Sequence, residues 1–458
     1  MSSSRPSAAD WETVLLTEKL PATIFEKLRL ANAAVNARYP GESPARQPVH
    51  VVYGGAHLFK ANTAKRMGEI ALAALREYAP DAASLATAIG LPADAAQTVY
   101  RRTLDKLSRE PIEDFRIDFE DGYGNRSDAE EDGHALQAAA EVLRGISEAS
   151  LPPFIGIRIK ALTEDTRARS LRTLELFVTA LGRQMRAQLP AFRVTLPKVT
   201  SAEQVEALAA ALELLESEVG LPADTLKMEL MVETTQSIIG PDGEAALPKL
   251  VAAARGRCTG AHFGTYDYTA ACNITAAYQQ MRHPACDFAK QVMQVCLAGT
   301  GVALSDGATN VMPVGPHRAK EGSELSPEQR EENKSVVHRA WRLAYDDIQH
   351  SLVSGFYQGW DLHPAQLPVR FAAVYQFFLQ GLEPAGRRLK SFIEKAAQAT
   401  LMGDVFDDAA TGQGLLNYFL RGINCGAITA EEAHRMTGLT LEELRSRSFA
   451  KILAGRRR

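Results

Sequence analysis

The sequence predicts an α/β protein: eight strand–helix units closed into a (β/α)8 TIM barrel, with an N-terminal helical extension and a C-terminal α-helical appendage. Three observations carry this reading. Short apolar runs alternate with amphipathic helical stretches about eight times along the chain. Each run is continuously apolar rather than alternating, the mark of a parallel sheet covered on both faces. No Gly-x-Gly-x-x-Gly opens a helix after a strand, which argues against an open dinucleotide-binding sheet.

In order, residues 1–48 form the extension. Trp11-Glu-Thr-Val-Leu-Leu and the stretch from Ile24 to Val35 have helical apolar spacing. Tyr39-Pro40-Gly41 breaks it. The barrel is assigned to residues 49–368. Its strands are read at Val49-His-Val-Val-Tyr-Gly-Gly, Phe115-Arg-Ile-Asp-Phe-Glu-Asp-Gly, Phe154-Ile-Gly-Ile-Arg-Ile-Lys, Phe192-Arg-Val-Thr-Leu-Pro-Lys-Val, and residues 227–233, 260–266, 302–307 and 356–364. Helices are read at 61–77, 84–107 (an addition to the simple pattern), 129–147, 166–187, 202–219, 287–299 and 326–353. Residues 369–458 read as helical throughout.

Composition excludes several classes. The 458 residues carry a net charge of -4, so no basic footprint argues for nucleic acid. No run reaches the roughly 18 apolar residues of a membrane span. The first residues hold no apolar signal segment, so a cytoplasmic protein is expected. Five scattered cysteines without a Cys-x-x-Cys pair fit a reducing compartment.

In such a barrel the polar groups at strand C-termini converge on one face, where active sites are built. Here they are His57, Glu120, Asp121, Arg158, Lys198, Glu233, Asp267, Asp306 and His363. Glu233 and Asp267 end consecutive strands, the arrangement that offers two carboxylates to a hard cation. Each could instead cap the helix that follows. Arg158 could pair with Asp118, Glu120 or Asp121, or present a fixed planar cation to a substrate oxygen. Lys198 could form a Schiff base, but the carboxylate pair favours a metal. His57 and His363 also read as turn histidines, and the cysteines as core packing.

Asp-Phe-Glu-Asp-Gly (118–122), Ile-Arg-Ile-Lys (157–160), Leu-Pro-Lys-Val (196–199), Val-Glu-Thr (232–234), Phe-Gly-Thr-Tyr-Asp (263–267), Val-Ala-Leu-Ser-Asp-Gly (302–307) and Gly-Trp-Asp-Leu-His-Pro-Ala-Gln (359–366) stand in one order. In that order they resemble the citrate lyase β-subunit / malyl-CoA lyase family, grouped with the HpcH/HpaI aldolases in the phosphoenolpyruvate/pyruvate-binding barrel superfamily. The resemblance implies a carbon–carbon lyase or aldolase acting through a metal-stabilised enolate. Its metal would be Mg2+, with Mn2+ as the alternative, on Glu233 and Asp267. Arg158 would hold the enolate oxygen, Glu120 and Asp121 would stand beside the metal, and Thr265 and Tyr266 would bind substrate. The substrate would be a 2-oxo or hydroxy acid, or an acyl-CoA, and the protein a homo-oligomer. Asp404, Asp407 and Asp408 are candidates for the base that relatives draw from their C-terminal segment. The third-strand motif has Lys160 where relatives carry Asn. The alternatives are an acyl-CoA-dependent lyase, condensing enzyme or thioesterase, and a non-catalytic barrel subunit.

Overall fold

The computed structural model describes residues 20–41, 43, 45–182, 191–319, 323–395, 400–402, 405–407 and 409–456. Eight parallel strands close on themselves in sequence order: β1 (His50–Gly55), β2 (Asp114–Asp118), β3 (Phe154–Arg158), β4 (Arg193–Leu196), β5 (Lys227–Val232), β6 (Cys258–Phe263), β7 (Ala303–Ala308) and β8 (Gln358–Asp361). The barrel read from the sequence is the fold observed.

The strands, expected as continuously apolar runs, instead alternate, because the barrel interior takes polar side chains, and their two faces divide the chemistry. Phe115, Ile117, Ile155, Ile157, Val194, Leu196, Met228, Leu230 and Val232 alternate with polar neighbours and pack in the apolar core shared with the helices. The intervening Arg116, Arg158, Thr195 and Glu229 are buried too, and they bond to one another or to carboxylates across strands. The barrel interior is therefore charged, where such interiors are usually filled with bulky branched side chains. Gly156 opens the crossing between β3 and β4, because a Cβ there would lie 2.1 Å from the Arg193 carbonyl oxygen.

Helices supply the outer layer. The stretch predicted at 84–107 is two helices, Ala82–Ile89 and Ala93–Arg109, separated at Gly90 in the left-handed region. Pro327–Val353 starts with a capping box in which Ser326 accepts from the Gln329 amide. Leu367–Gln380 is buried along nearly its whole length in the barrel's core, and a second apolar cluster lies between Leu382 and Ile452. A short antiparallel ribbon, Thr400–Met402 with Val405–Asp407, interrupts the tail that had read as helical throughout. Thr400, Val405 and Phe406 are residues that favour strand. Trp11 to Leu16 lie outside the described residues, whereas Ala22–Arg38 is a helix with no buried residue. It ends before Gly41, whose amide donates to the Gly299 carbonyl. No described helix is long and apolar enough to cross a membrane.

Leu208 is fully buried between Ala202–Val219 and the barrel. Leu208→Ala should lower unfolding free energy by about 2–5 kcal/mol, read as a lower urea midpoint with unchanged slope.

Candidate active site

The register of β2 and β3 sets Asp118 directly opposite Arg158. The guanidinium is gripped along one edge, with Nε 2.7 Å from Asp118 Oδ1 and Nη2 2.6 Å from Oδ2. The same carboxylate accepts the amides of Glu120 at 3.0 Å and Gly122 at 2.7 Å, which fixes the turn after β2. Arg158 is stacked near Tyr53 and Trp360, at 4.7 and 5.6 Å from their ring centres. Its remaining edge, Nη1, faces Glu120 at 3.1 Å and Asp121 at 3.9 Å.

Lys198 follows Pro197 at the end of β4 and holds φ of 50°, a left-handed conformation that is strained for a side-chain-bearing residue. This turn aims the Lys198 amide at Glu233 Oε1, 2.7 Å away. Its ammonium meets Glu120, lies 3.1 Å from Asp121 Oδ2, and lies 3.8 Å from Asp267 Oδ1. Glu120, Asp121, Glu233 and Asp267 are thus drawn together around one lysine and one arginine.

Two open readings resolve here. The helix after β5 is capped by Thr234, whose Oγ1 accepts from the Ser237 amide at 3.1 Å, so Glu233 is not the cap. β6 ends at Phe263 rather than 266, and Thr265–Ala271 is already helical. Asp267 therefore sits in the first turn of that helix, which has no side-chain cap, instead of at a strand tip. Periodicity missed this because Gly264 alone separates the strand from the helix.

Glu233 is buried, and its carboxyl is pushed up to about 7, first by burial and then by the negative charge of Asp267. Lys198 and Arg158 oppose the rise. Glu120 is raised as well, again first by burial. The pair Glu233 and Asp267 fits a hard dication: both donors are carboxylate oxygens, and their mutual repulsion is what such a charge relieves. Among the described residues no three His, Cys, Asp or Glu side chains gather as a metal-holding group. The protein's own ligands would number two, as Mg2+ usually takes.

The other predicted residues divide. Thr265 is buried against Gly307, and its Oγ1 has no hydrogen-bond partner among the described residues. Tyr266 donates its hydroxyl to the Ala308 carbonyl at 2.6 Å, tying the helix to β7. Asp306 is held by Lys290 at 3.1 Å and Ser351 at 2.6 Å, outside the cluster. His363 accepts from the Ala365 amide and caps a turn. His57 packs against Tyr123 and His134 rather than the carboxylates. Lys160, where the resembled pattern has Asn, donates to the Phe119 carbonyl at 2.6 Å and pairs with Glu131 at 2.9 Å, so it braces the scaffold. Burial pushes the thiols of Cys258, Cys286 and Cys425 up to about 12, which suits core residues. Asp404 and Asp408 lie outside the described residues, and Asp407 falls in the short ribbon. Tyr53 and Trp360 were not anticipated; an aromatic residue at the mouth end of two adjacent strands was the available signal.

Because Asp267 helps raise the Glu233 carboxyl, Asp267→Asn should lower its titration midpoint from about 7. Carboxyl carbon NMR of metal-free protein would read this, and an unmoved midpoint would show the two groups uncoupled.

No curated protein matches the chain. Among solved structures, a citrate lyase from Burkholderia xenovorans LB400 is 18% identical, with 86% of this chain and 97% of that one covered at a TM-score of 0.56. CitE from Mycobacterium tuberculosis, solved with magnesium, acetoacetate and coenzyme A, is 15% identical over 84% of this chain and 100% of that one, at a TM-score of 0.45. Haloferax volcanii malate synthase, solved with magnesium and glyoxylate, is 14% identical over 85% and 98%, at 0.42. At 18% identity the likeness to the Burkholderia citrate lyase is one of fold. The family model that matches, over residues 28–452, is described as "Domain of unknown function (DUF6986)", and the chain belongs to that family.

Proposed function

We propose that this chain is a metal-dependent carbon–carbon lyase or aldolase of the HpcH/HpaI–citrate lyase type, with residues 49–368 as its catalytic domain. The observation that carries the reading is the convergence of Glu233, Asp267, Glu120, Asp121, Lys198 and Arg158 at the end of the barrel where the strands finish. A structural barrel needs no such cluster, and strand C-termini are where barrel enzymes place their chemistry. The substrate class that suits it is a hydroxy acid, or the 2-oxo acid and aldehyde formed from it.

In the cleavage direction the bond between the α carbon and the hydroxyl-bearing carbon breaks. The hydroxyl proton leaves to a base, the carbonyl product departs, and the electron pair remains as an enolate. Negative charge then grows on an oxygen, which fixed positive groups stabilise. Arg158 supplies one such group: Asp118 holds two of its nitrogens, so the third is presented in one direction without reorganisation. Tyr53 and Trp360 wall the guanidinium and limit its access to water. Glu120 and Asp121 fix Lys198, whose ammonium would present a positive charge to a substrate carboxylate. Glu233 and Asp267 would hold Mg2+ or Mn2+, which when bound supplies Lewis-acid stabilisation of the developing charge.

Calorimetry should show Mg2+ together with oxalate, an enolate mimic, binding wild type but not Glu233→Gln. Because Glu233 must lose its proton to bind a cation, affinity should rise between pH 6 and 8 around its value of about 7, with proton release on the acid side. Absence of metal-dependent binding to wild type would sink the proposal. With a turned-over substrate in hand, Arg158→Lys, which keeps a positive charge beside the buried Asp118 but loses the planar fork, should slow the reaction by about 10²–10³.

A further inference from the structure

Most of a helix's stability in a folded protein comes from packing an apolar face. The helix Ala22–Arg38 has 17 residues and buries none of them. It nevertheless carries such a face, since Ile24, Leu28, Ala31 and Val35 follow one another at steps of four, three and four. That spacing aligns them along one side, and Leu28 in the middle is 54% exposed. The ion pair of Arg29 with Glu26, at 2.6 Å, falls on the opposite side. A stripe this narrow is the seam of a helix–helix contact, not the wide face of a helix laid on a sheet.

A second seam is open on the helix Pro284–Leu297. One side of that helix packs inward through Cys286, Ala289, Met293 and Leu297. The other presents Phe288, Val292 and Val295, again at steps of four and three, with Val295 83% exposed. Val353, 77% exposed at the end of Pro327–Val353, widens the strip. The two helices are tied by His350 at 2.8 Å from Asp287 and by Gln294, which donates to the Ser354 carbonyl. Large apolar side chains exposed side by side mark a contact surface.

The first helix leaves the molecule beside this second seam. Gly41, just past its end, donates its amide to the carbonyl of Gly299, just past the end of the other helix, at 2.8 Å. It runs on without covering Phe288 or Val295, so both seams are open in the described chain. A second copy can close both at once. A helix of 17 residues is about 25 Å long. Laid along a seam it removes of order 400 Å² from each side, so two reciprocal contacts bury about 1,600 Å², the size of a standard stable interface.

We propose that Ala22–Arg38 is an exchanged arm: in a twofold dimer, Ile24, Leu28, Ala31 and Val35 of each copy pack on the seam of Phe288, Val292 and Val295 of the other. Reciprocity closes the contact, which gives a dimer and not a filament. None of these residues belongs to the carboxylate cluster, so the inference does not rest on the lyase reading.

Light scattering after size exclusion of the full-length protein tests this. Wild type at micromolar concentration should have twice the mass of one chain. Leu28→Glu and Val295→Glu replace exposed side chains and should each keep the circular dichroism spectrum while halving the mass. Leu58→Glu, at an exposed apolar residue outside both seams, should remain a dimer. A monomeric wild type would overturn the assignment, because the arm would then be covered within its own chain or not at all. So would an assembly that survives either seam variant, or one that Leu58→Glu also dissolves.

Discussion

The fork between Arg158 and Asp118 is the contact on which the candidate site depends. Both side chains are buried, and neither could be left without the other, since an uncompensated charge in this interior costs several kcal/mol. Their pairing is dictated by strand register, so it is fixed as soon as β2 and β3 align. Asp118 then has lone pairs to spare, which the Glu120 and Gly122 amides take. The turn that carries Glu120 and Asp121 is thereby shaped by the same carboxylate that orients the arginine. Lys198 follows from those two carboxylates, and Glu233 is located by the Lys198 backbone amide. Four consecutive strands of the barrel contribute to one chain of contacts.

That chain has a direction of charge. Arg158 is neutralised by Asp118 before Glu120 is considered, so Glu120, Asp121, Glu233 and Asp267 share little more than one lysine. This deficit adds, through Asp267, to the burial that is the first cause of the raised Glu233 carboxyl. A dication of ordinary oxygen preference answers the same deficit with less desolvation of separate ions. The internal network of Arg116 with Asp114 and Glu229 also sets two acids against one arginine, but there the fully enclosed guanidinium donates to both, whereas no guanidinium bonds the Glu233 carboxylate among the described residues.

The barrel was legible because short strand-like runs alternate with amphipathic helical stretches along the chain, although the runs themselves alternate apolar residues with buried polar ones such as Arg116, Arg158, Thr195 and Glu229. The acidic and basic members of the mouth were legible because they stand at strand ends. What the one-dimensional pattern could not carry was direction. Asp306 and Glu233 look alike at strand ends, yet Asp306 turns toward Lys290 and Ser351 in the helical layer while Glu233 turns inward. His363 and His57 likewise sit at strand ends without facing the cluster, one as a turn cap and one against Tyr123. The boundary at Gly264 was misjudged because apolar and aromatic residues run across it into the helix. A Cβ there would come within 2.4 Å of Glu233 Oε2, so that glycine marks where the chain passes closest to the carboxylate.

The strain at Lys198 is best understood with these contacts. A left-handed residue bearing a long side chain costs of order 1 kcal/mol or more, and nothing in the strand before it demands that turn. An extended Lys198 would carry β4 onward and point its amide away from Glu233. In the observed conformation one residue does two things at once: its amide donates to Glu233 while its side chain crosses to Glu120 and Asp121. The interactions that hold the strained residue are themselves interactions with the acidic cluster. Lys198 is thereby fixed at both ends, its amide on Glu233 and its ammonium on the acidic turn after β2, which makes the left-handed turn the link between Glu233 and the segment that carries Glu120 and Asp121.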